Sequence, residues 1–191
     1  MATIRPGFIV GIGGSAGGLG AYKALLDAMP CNTGMAFVVV PHLFPEAISH
    51  LAEILSRHTE MRVMVASTEM LVREDHVYVC PPDADLLLDG HAFKVVSPRT
   101  RRNVAVDLFF TSLAEAMGAR AIGIVLSGYG RDGSEGCRQI KAKGGVTFAQ
   151  DATAEVNDMP LSAQETGCVD FVLPPGKIAD QLRAMAKQFG K

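Results

Sequence analysis

The sequence contains no tryptophan, and aromatic residues make up only 6% of its 191 positions. It is also nearly free of net charge, with 18 Lys and Arg against 20 Asp and Glu giving −2. The one cationic cluster, Arg99, Arg101 and Arg102 with Lys94, has no interleaved aromatics. It reads as a solvated loop, and no nucleic-acid partner is expected. Paired cysteines are absent: Cys31, Cys80, Cys137 and Cys168 form no CxxC and have no closely spaced His partner. That pattern excludes a zinc framework and suits a reducing compartment, with Cys80 and Cys168 expected as buried small hydrophobes. Long apolar runs are missing too. Glycines interrupt the run that starts at Phe8, which is too short for a signal segment, and no other stretch approaches membrane length. A cytoplasmic protein without membrane insertion is expected.

What the chain does have is a 48% hydrophobic composition cut into short runs. Residues 8–12, 35–40, 62–66, 121–126, 146–149 and 171–173 read as strands. Several are unbroken Val/Ile/Phe runs, as in strands buried on both faces of a parallel sheet. Helical patterns fall at 19–29, 48–57, 108–117, 134–143 and 178–189. In 77–96 the segments are shorter, and Asp89-Gly90 separates two of them as a hairpin turn would. The expected fold is α/β: one doubly wound, mostly parallel sheet flanked by helices, Rossmann-like, with a small antiparallel insertion near residues 77–96. With no repeat or linker, residues 1–191 are expected to form a single domain.

Sites in such sheets form at the carboxyl ends of strands. Three predicted strand ends carry unusual residues: Gly13-Gly14-Ser15-Ala16-Gly17-Gly18, Pro41-His42, and Ser127-Gly128-Tyr129-Gly130-Arg131-Asp132-Gly133. The first fits a dinucleotide-binding G-x-G-x-x-A, but the acidic residue that should end the second strand is replaced by Pro41-His42. The same loop fits the nucleophile elbow G-x-S-x-G, in which glycines allow a sharp turn and expose the serine hydroxyl. Alone it is equally compatible with Ser15 capping the helix that follows. No histidine follows His91, so a base for Ser15 must come soon after it, and the order must be Ser, His, Asp. His42 is the one histidine ending a buried strand; His50, His58, His76 and His91 fall on helices or turns. Asp132 is preferred as the carboxylate over Asp107, Asp151 and Asp158 because its glycine-rich loop permits close approach. Capping of the 134–143 helix is the other role open to it.

These segments, with Ala149-Gln150-Asp151 and Met159-Pro160, resemble the catalytic domain of CheB-type protein-glutamate methylesterases over essentially the whole chain. The wording around Arg57-His58-Thr59 and Asp170–Pro175 is similar to the branch fused to receptor methyltransferases. The resemblance implies a serine hydrolase acting on glutamyl γ-methyl esters of chemoreceptors, with glutamine deamidation in some members. It assigns Ser15 as nucleophile, His42 as base and Asp132 as orienting carboxylate, with Ala16, Tyr129 and Gly130 as the oxyanion and substrate loops. It implies no cofactor and no metal. The implied partners are methylated cytoplasmic receptor helices. With no receiver domain expected before the first strand, the chain is expected to be a piece of a longer protein, a stand-alone enzyme, or one controlled by a separate receiver or methyltransferase protein. Departures from the family pattern are Ala16 for threonine, Leu43-Phe44 after His42, Tyr129 for methionine, and Asn103-Val104-Ala105 before Val106-Asp107.

Overall fold

Seven apolar runs line up as one parallel sheet in the computed structural model, which describes residues 5–42 and 50–189. The strands are β1 (Phe8–Gly14), β2 (Met35–Pro41), β3 (Arg62–Val65), β4 (His76–Val79), β7 (Ala121–Val125), β8 (Val146–Gln150) and β9 (Phe171–Leu173). They run in the order β3-β4-β2-β1-β7-β8-β9. The antiparallel hairpin, β5 (Asp85–Asp89) and β6 (Ala92–Val96), turns at Asp89-Gly90 within the expected stretch. Its leading segment differs from the sequence reading: residues 76–79 form β4, parallel and central between β2 and β3. The period of a four-residue apolar run does not distinguish a parallel interior strand from a hairpin arm.

The helices are α1 (Gly18–Ala28), α2 (Leu51–Leu55), α3 (Ala105–Met117), α4 (Ser134–Ala142), α5 (Asp158–Glu165) and α6 (Pro175–Phe189). The expected start of the second helix at 48 lies outside the described residues. The short α5 has no counterpart in the sequence reading: it is only eight residues long and carries Pro160 in its first turn, where proline is tolerated. α6 starts three residues earlier than expected, with Pro175 as its first helical residue. No helix among the described residues is long and apolar enough to cross a membrane.

Because side chains alternate along each strand, the sheet buries two cores. Val38 and Val40 of β2 pack with α3, α4, α5 and the hairpin, whereas Phe37 and Val39 pack with α1, α2 and α6. Cys137 and Cys80 both lie buried in the first core, but Cys168 is only half-buried, contrary to expectation. Burial pushes the Cys80 and Cys137 thiols up to about 12.

Glycines set how closely α3 approaches the sheet. A Cβ on Gly11 of β1 would lie 2.8 Å from the Phe110 ring, one on Gly123 of β7 3.0 Å from it, and one on Gly136 of α4 2.5 Å from Phe110 Cβ. Phe110 therefore sits in a slot that any side chain at these positions would fill. One turn earlier, Val106 packs as tightly over Gly13. The start of α3 is thereby pressed against the carboxyl end of β1.

Candidate active site

The chain leaves β1 toward β2 on one side and later returns to β7 on the other, so a crevice opens at the carboxyl ends of β2, β1 and β7. The three loops identified in the sequence start there. Ser15, His42 and Asp132 all line one cavity of about 1060 Å³, together with Ala16, Tyr129 and Gly130. The other four histidines lie elsewhere: His50 is exposed near Glu53, His58 contacts Asp27 at 2.9 Å, and the His76 ring contacts the Glu74 carbonyl. None of these three lines the cavity, nor does His91.

Ser15 follows β1 directly, its amide donating to the Ser127 carbonyl at 2.8 Å. It does not cap α1. The cap is Gly17, at φ 73°, and the Ser15 hydroxyl donates instead to the His42 main-chain carbonyl at 3.0 Å. The dinucleotide reading meets a direct obstacle here. A Cβ on Gly17 would lie 3.0 Å from Glu155 Oε2, so a carboxylate stands where a diphosphate would need the helix N-terminus. Among the described residues no acceptor engages the amides of Ala16 and Tyr129, as an anion-binding pair requires. Among the same residues, no group of three His, Cys, Asp or Glu side chains is placed to hold a metal.

Asp132 is buried, and it is a cap, but not of the helix expected. Its Oδ2 accepts the Val106 amide at 3.0 Å and its Oδ1 the Asp107 amide at 2.9 Å, so it holds the start of α3. Asp107 returns the arrangement, its Oδ1 accepting the amides of Gly133 and Gly136 at the start of α4. Each carboxylate caps the other's helix, across 25 residues of sequence, which no local pattern reveals. An ionised carboxylate offers about four acceptor directions, so Asp132 keeps capacity for the His42 ring. Among the described residues the ring is hydrogen-bonded to neither Ser15 nor Asp132 in this state. Asp151, the other aspartate after a strand, accepts the Thr153 amide and hydroxyl in a local turn outside the cavity.

Sequence reasoning gave Ser127 no role of its own. Fully buried, its hydroxyl bonds the Ala16 carbonyl at 2.7 Å and the Val156 carbonyl at 3.2 Å, and accepts the Val156 amide at 2.9 Å. One side chain thus ties the loops after β1, β7 and β8 together. A hydroxyl residue between a buried strand and Gly128 is the only signal the sequence offers for it.

Burial pushes the Asp107 carboxyl up to about 6, with the Gly136 amide opposing and the charge of Asp132 adding to the shift. The folded chain therefore binds this proton more tightly than the unfolded one. The resulting stabilisation is present below the ordinary value of 3.8 and is lost as pH rises through about 6. Asp107→Asn keeps an acceptor oxygen but does not titrate. Its urea midpoint is expected to rise relative to wild type between pH 4 and pH 7; a constant or falling difference would contradict the assignment.

The family model described as CheB methylesterase matches residues 10–182. A protein of Leptospira interrogans, named provisionally as a protein-glutamate methylesterase/protein-glutamine glutaminase, is 34% identical over 88% of this chain and 90% of its own length. A Moorella thermoacetica protein carrying that name without the reservation is 34% identical over 97% of this chain, which spans only 46% of that relative. Among solved structures, the Thermotoga maritima CheB methylesterase catalytic domain superposes with a TM-score of 0.85 at 30% identity, covering 93% of this chain and 98% of that one.

Proposed function

Because this chain belongs to the CheB methylesterase family of carboxylic ester hydrolases, we propose that it removes methyl groups from glutamyl γ-methyl esters of chemoreceptor helices in the cytoplasm. Glutamine side chains are a second substrate of the same kind. The observation that supports this reading is that Ser15, His42 and Asp132, from three adjacent strand ends, line one cavity. Residues 1–191 act in it as a single catalytic domain, with control exerted by a receiver or methyltransferase partner.

In the proposed reaction the Ser15 hydroxyl leaves the His42 carbonyl by rotation about χ1 and gives its proton to the His42 imidazole. The freed oxygen attacks the γ-carbonyl carbon, and the amides of Ala16 and Tyr129 hold the resulting oxyanion, with Gly130 keeping that loop open. Asp132 fixes the imidazole tautomer and stabilises the imidazolium. Collapse breaks the bond to the methoxy group, which departs as methanol with the proton from His42. Water, deprotonated by the same imidazole, then attacks the acyl-serine, releasing the glutamate side chain and restoring Ser15. With glutamine the leaving group is ammonia.

The test is methanol release from methylated receptor fragments, alongside labelling of Ser15 by a fluorophosphonate. Labelling without methanol release would keep the hydrolase and reject the substrate; neither result would reject both. If His42 is the base, kcat/KM falls on acidification, because a protonated ring cannot accept the serine proton. Substituting His50, His58, His76 or His91 by Gln should leave that profile in place. An unchanged acidic limb in an active His42→Gln variant would reject the assignment.

A further inference from the structure

Part of the cavity lining is cationic. Arg101 and Arg102 reach it from the segment between β6 and α3, and Arg131 from the turn before Asp132. All three are exposed, and none is ion-paired among the described residues. Among the described residues, the carboxylates on the same lining are Asp83, exposed, and Asp132, buried and committed to the start of α3. In a chain of net charge −2, this excess is a property of the site and not of the whole surface.

The segment carrying two of these arginines is anchored. Asp85, at the start of the hairpin, accepts the Thr100 amide at 2.8 Å and its hydroxyl at 2.6 Å. The neighbouring Arg99 is spent on the same anchor: its Nε lies 3.8 Å from Asp85 Oδ1, and its guanidinium donates to the Ala84 carbonyl at 3.4 Å. Arg99 therefore holds the turn, while Arg101 and Arg102 are left to face the cavity. The turn of Arg131 is fixed in turn by the Asp107 bonds to Gly133 and Gly136.

We propose that Arg101, Arg102 and Arg131 form a carboxylate-recognising rim that selects peptides bearing acidic side chains close to the reactive ester. This deepens the hydrolase reading above and rests on it for the identity of the ester. Guanidinium forks match carboxylates in geometry as well as charge. Side chains one turn apart on a helix, about 5–6 Å between Cβ atoms, fit together within a cavity of about 1060 Å³. A substrate helix can then present its ester to Ser15 and flanking carboxylates to the arginines at once. A nucleic acid would lack the acyl group and, among the described residues, would find only Tyr129 as an exposed aromatic on this lining.

The experiment measures binding rather than turnover, so that it stands apart from the hydrolase assay. Ser15→Ala protein is titrated with two fluorescent helical peptides that carry one glutamyl γ-methyl ester and differ only in Glu or Gln one turn to either side. At low salt the Glu peptide is expected to bind about 3- to 10-fold tighter, as a few exposed ion pairs allow. The gap should close toward parity at about 0.5 M salt, where screening is nearly complete beyond a contact distance. Adding Arg101→Ala, Arg102→Ala and Arg131→Ala together should bring the two peptides within about twofold, whereas Lys94→Ala, which removes a cation outside the cavity, should leave the gap as it was. Equal affinities, no binding of either peptide, a gap that survives the triple variant, or tighter binding of single-stranded DNA than of the Glu peptide would overturn the proposal. Failure of the wild type to release methanol from a peptide that binds with this selectivity would count against the hydrolase reading alone.

Discussion

Ser15→Ala is expected to lower methyl-ester hydrolysis by about 10⁶-fold, the scale on which loss of the nucleophile acts in serine hydrolases, while the protein stays folded. The structure explains both halves of that expectation. The hydroxyl makes one hydrogen bond, to the His42 carbonyl, worth about 0.5–1.5 kcal/mol, and alanine keeps the Cβ that packs beneath Gly128. Two nearby Ser and Thr hydroxyls are already engaged elsewhere. Thr100 is held at 2.6 Å by Asp85, and Ser127 is buried in bonds to the Ala16 and Val156 backbone. Methanol release and a thermal melt on the same preparation test the point. Activity within about tenfold of wild type, about 1.4 kcal/mol of barrier, would remove Ser15 from the reaction.

Asp132→Asn should reduce kcat by as much as ~10⁴-fold, because an amide lets the imidazole take the wrong tautomer and provides no charge to stabilise its protonated form. Unlike the serine substitution, it also reaches the fold. One of the two amides at the start of α3 loses its acceptor and the other keeps only a neutral one, a loss of about 0.5–2 kcal/mol on the scale of helix caps. Asp151→Asn touches only the local turn with Thr153 and should leave kcat unchanged, costing at most about 1 kcal/mol of stability. Values of kcat and KM for both variants, with urea titrations, separate the two roles. A stable Asp151→Asn enzyme without turnover, beside an active Asp132→Asn, would show that the wrong aspartate has been chosen.

The parts of this fold that can be read from sequence are those where local chemistry is unambiguous. β1 and β2 announce themselves because runs such as Phe37–Val40 suit strands covered on both faces, and the loops behind them stand out through glycines and a proline next to a histidine. The neighbourhood of Ser15, His42 and Asp132 follows from the rule that such sheets place strand ends together. What lies beyond reach of the sequence is pairing across distance. Nothing near Asp132 indicates that its oxygens hold residues 106 and 107, and nothing near Asp107 points to Gly133. The 99–102 segment looked like a solvated loop. Half of that description holds, for Arg101 and Arg102 are exposed, but Arg99 has only 14% of its side chain exposed because Asp85 draws it inward. The assignment of β4 depended on which strands flank it, which is a property of topology and not of four residues.

The helix-holding role of Asp132, beside the catalytic one proposed for it, also bears on how relatives of this chain should be compared. An aspartate needed to hold a helix remains under selection even where hydrolysis no longer matters, while a serine whose hydroxyl makes one weak bond does not. A lineage that abandoned the chemistry would therefore be free to shed its counterpart of Ser15, and would keep the aspartate for the sake of the helix. In a relative whose activity is in question, the aspartate says little, and the residue at the serine position says much more.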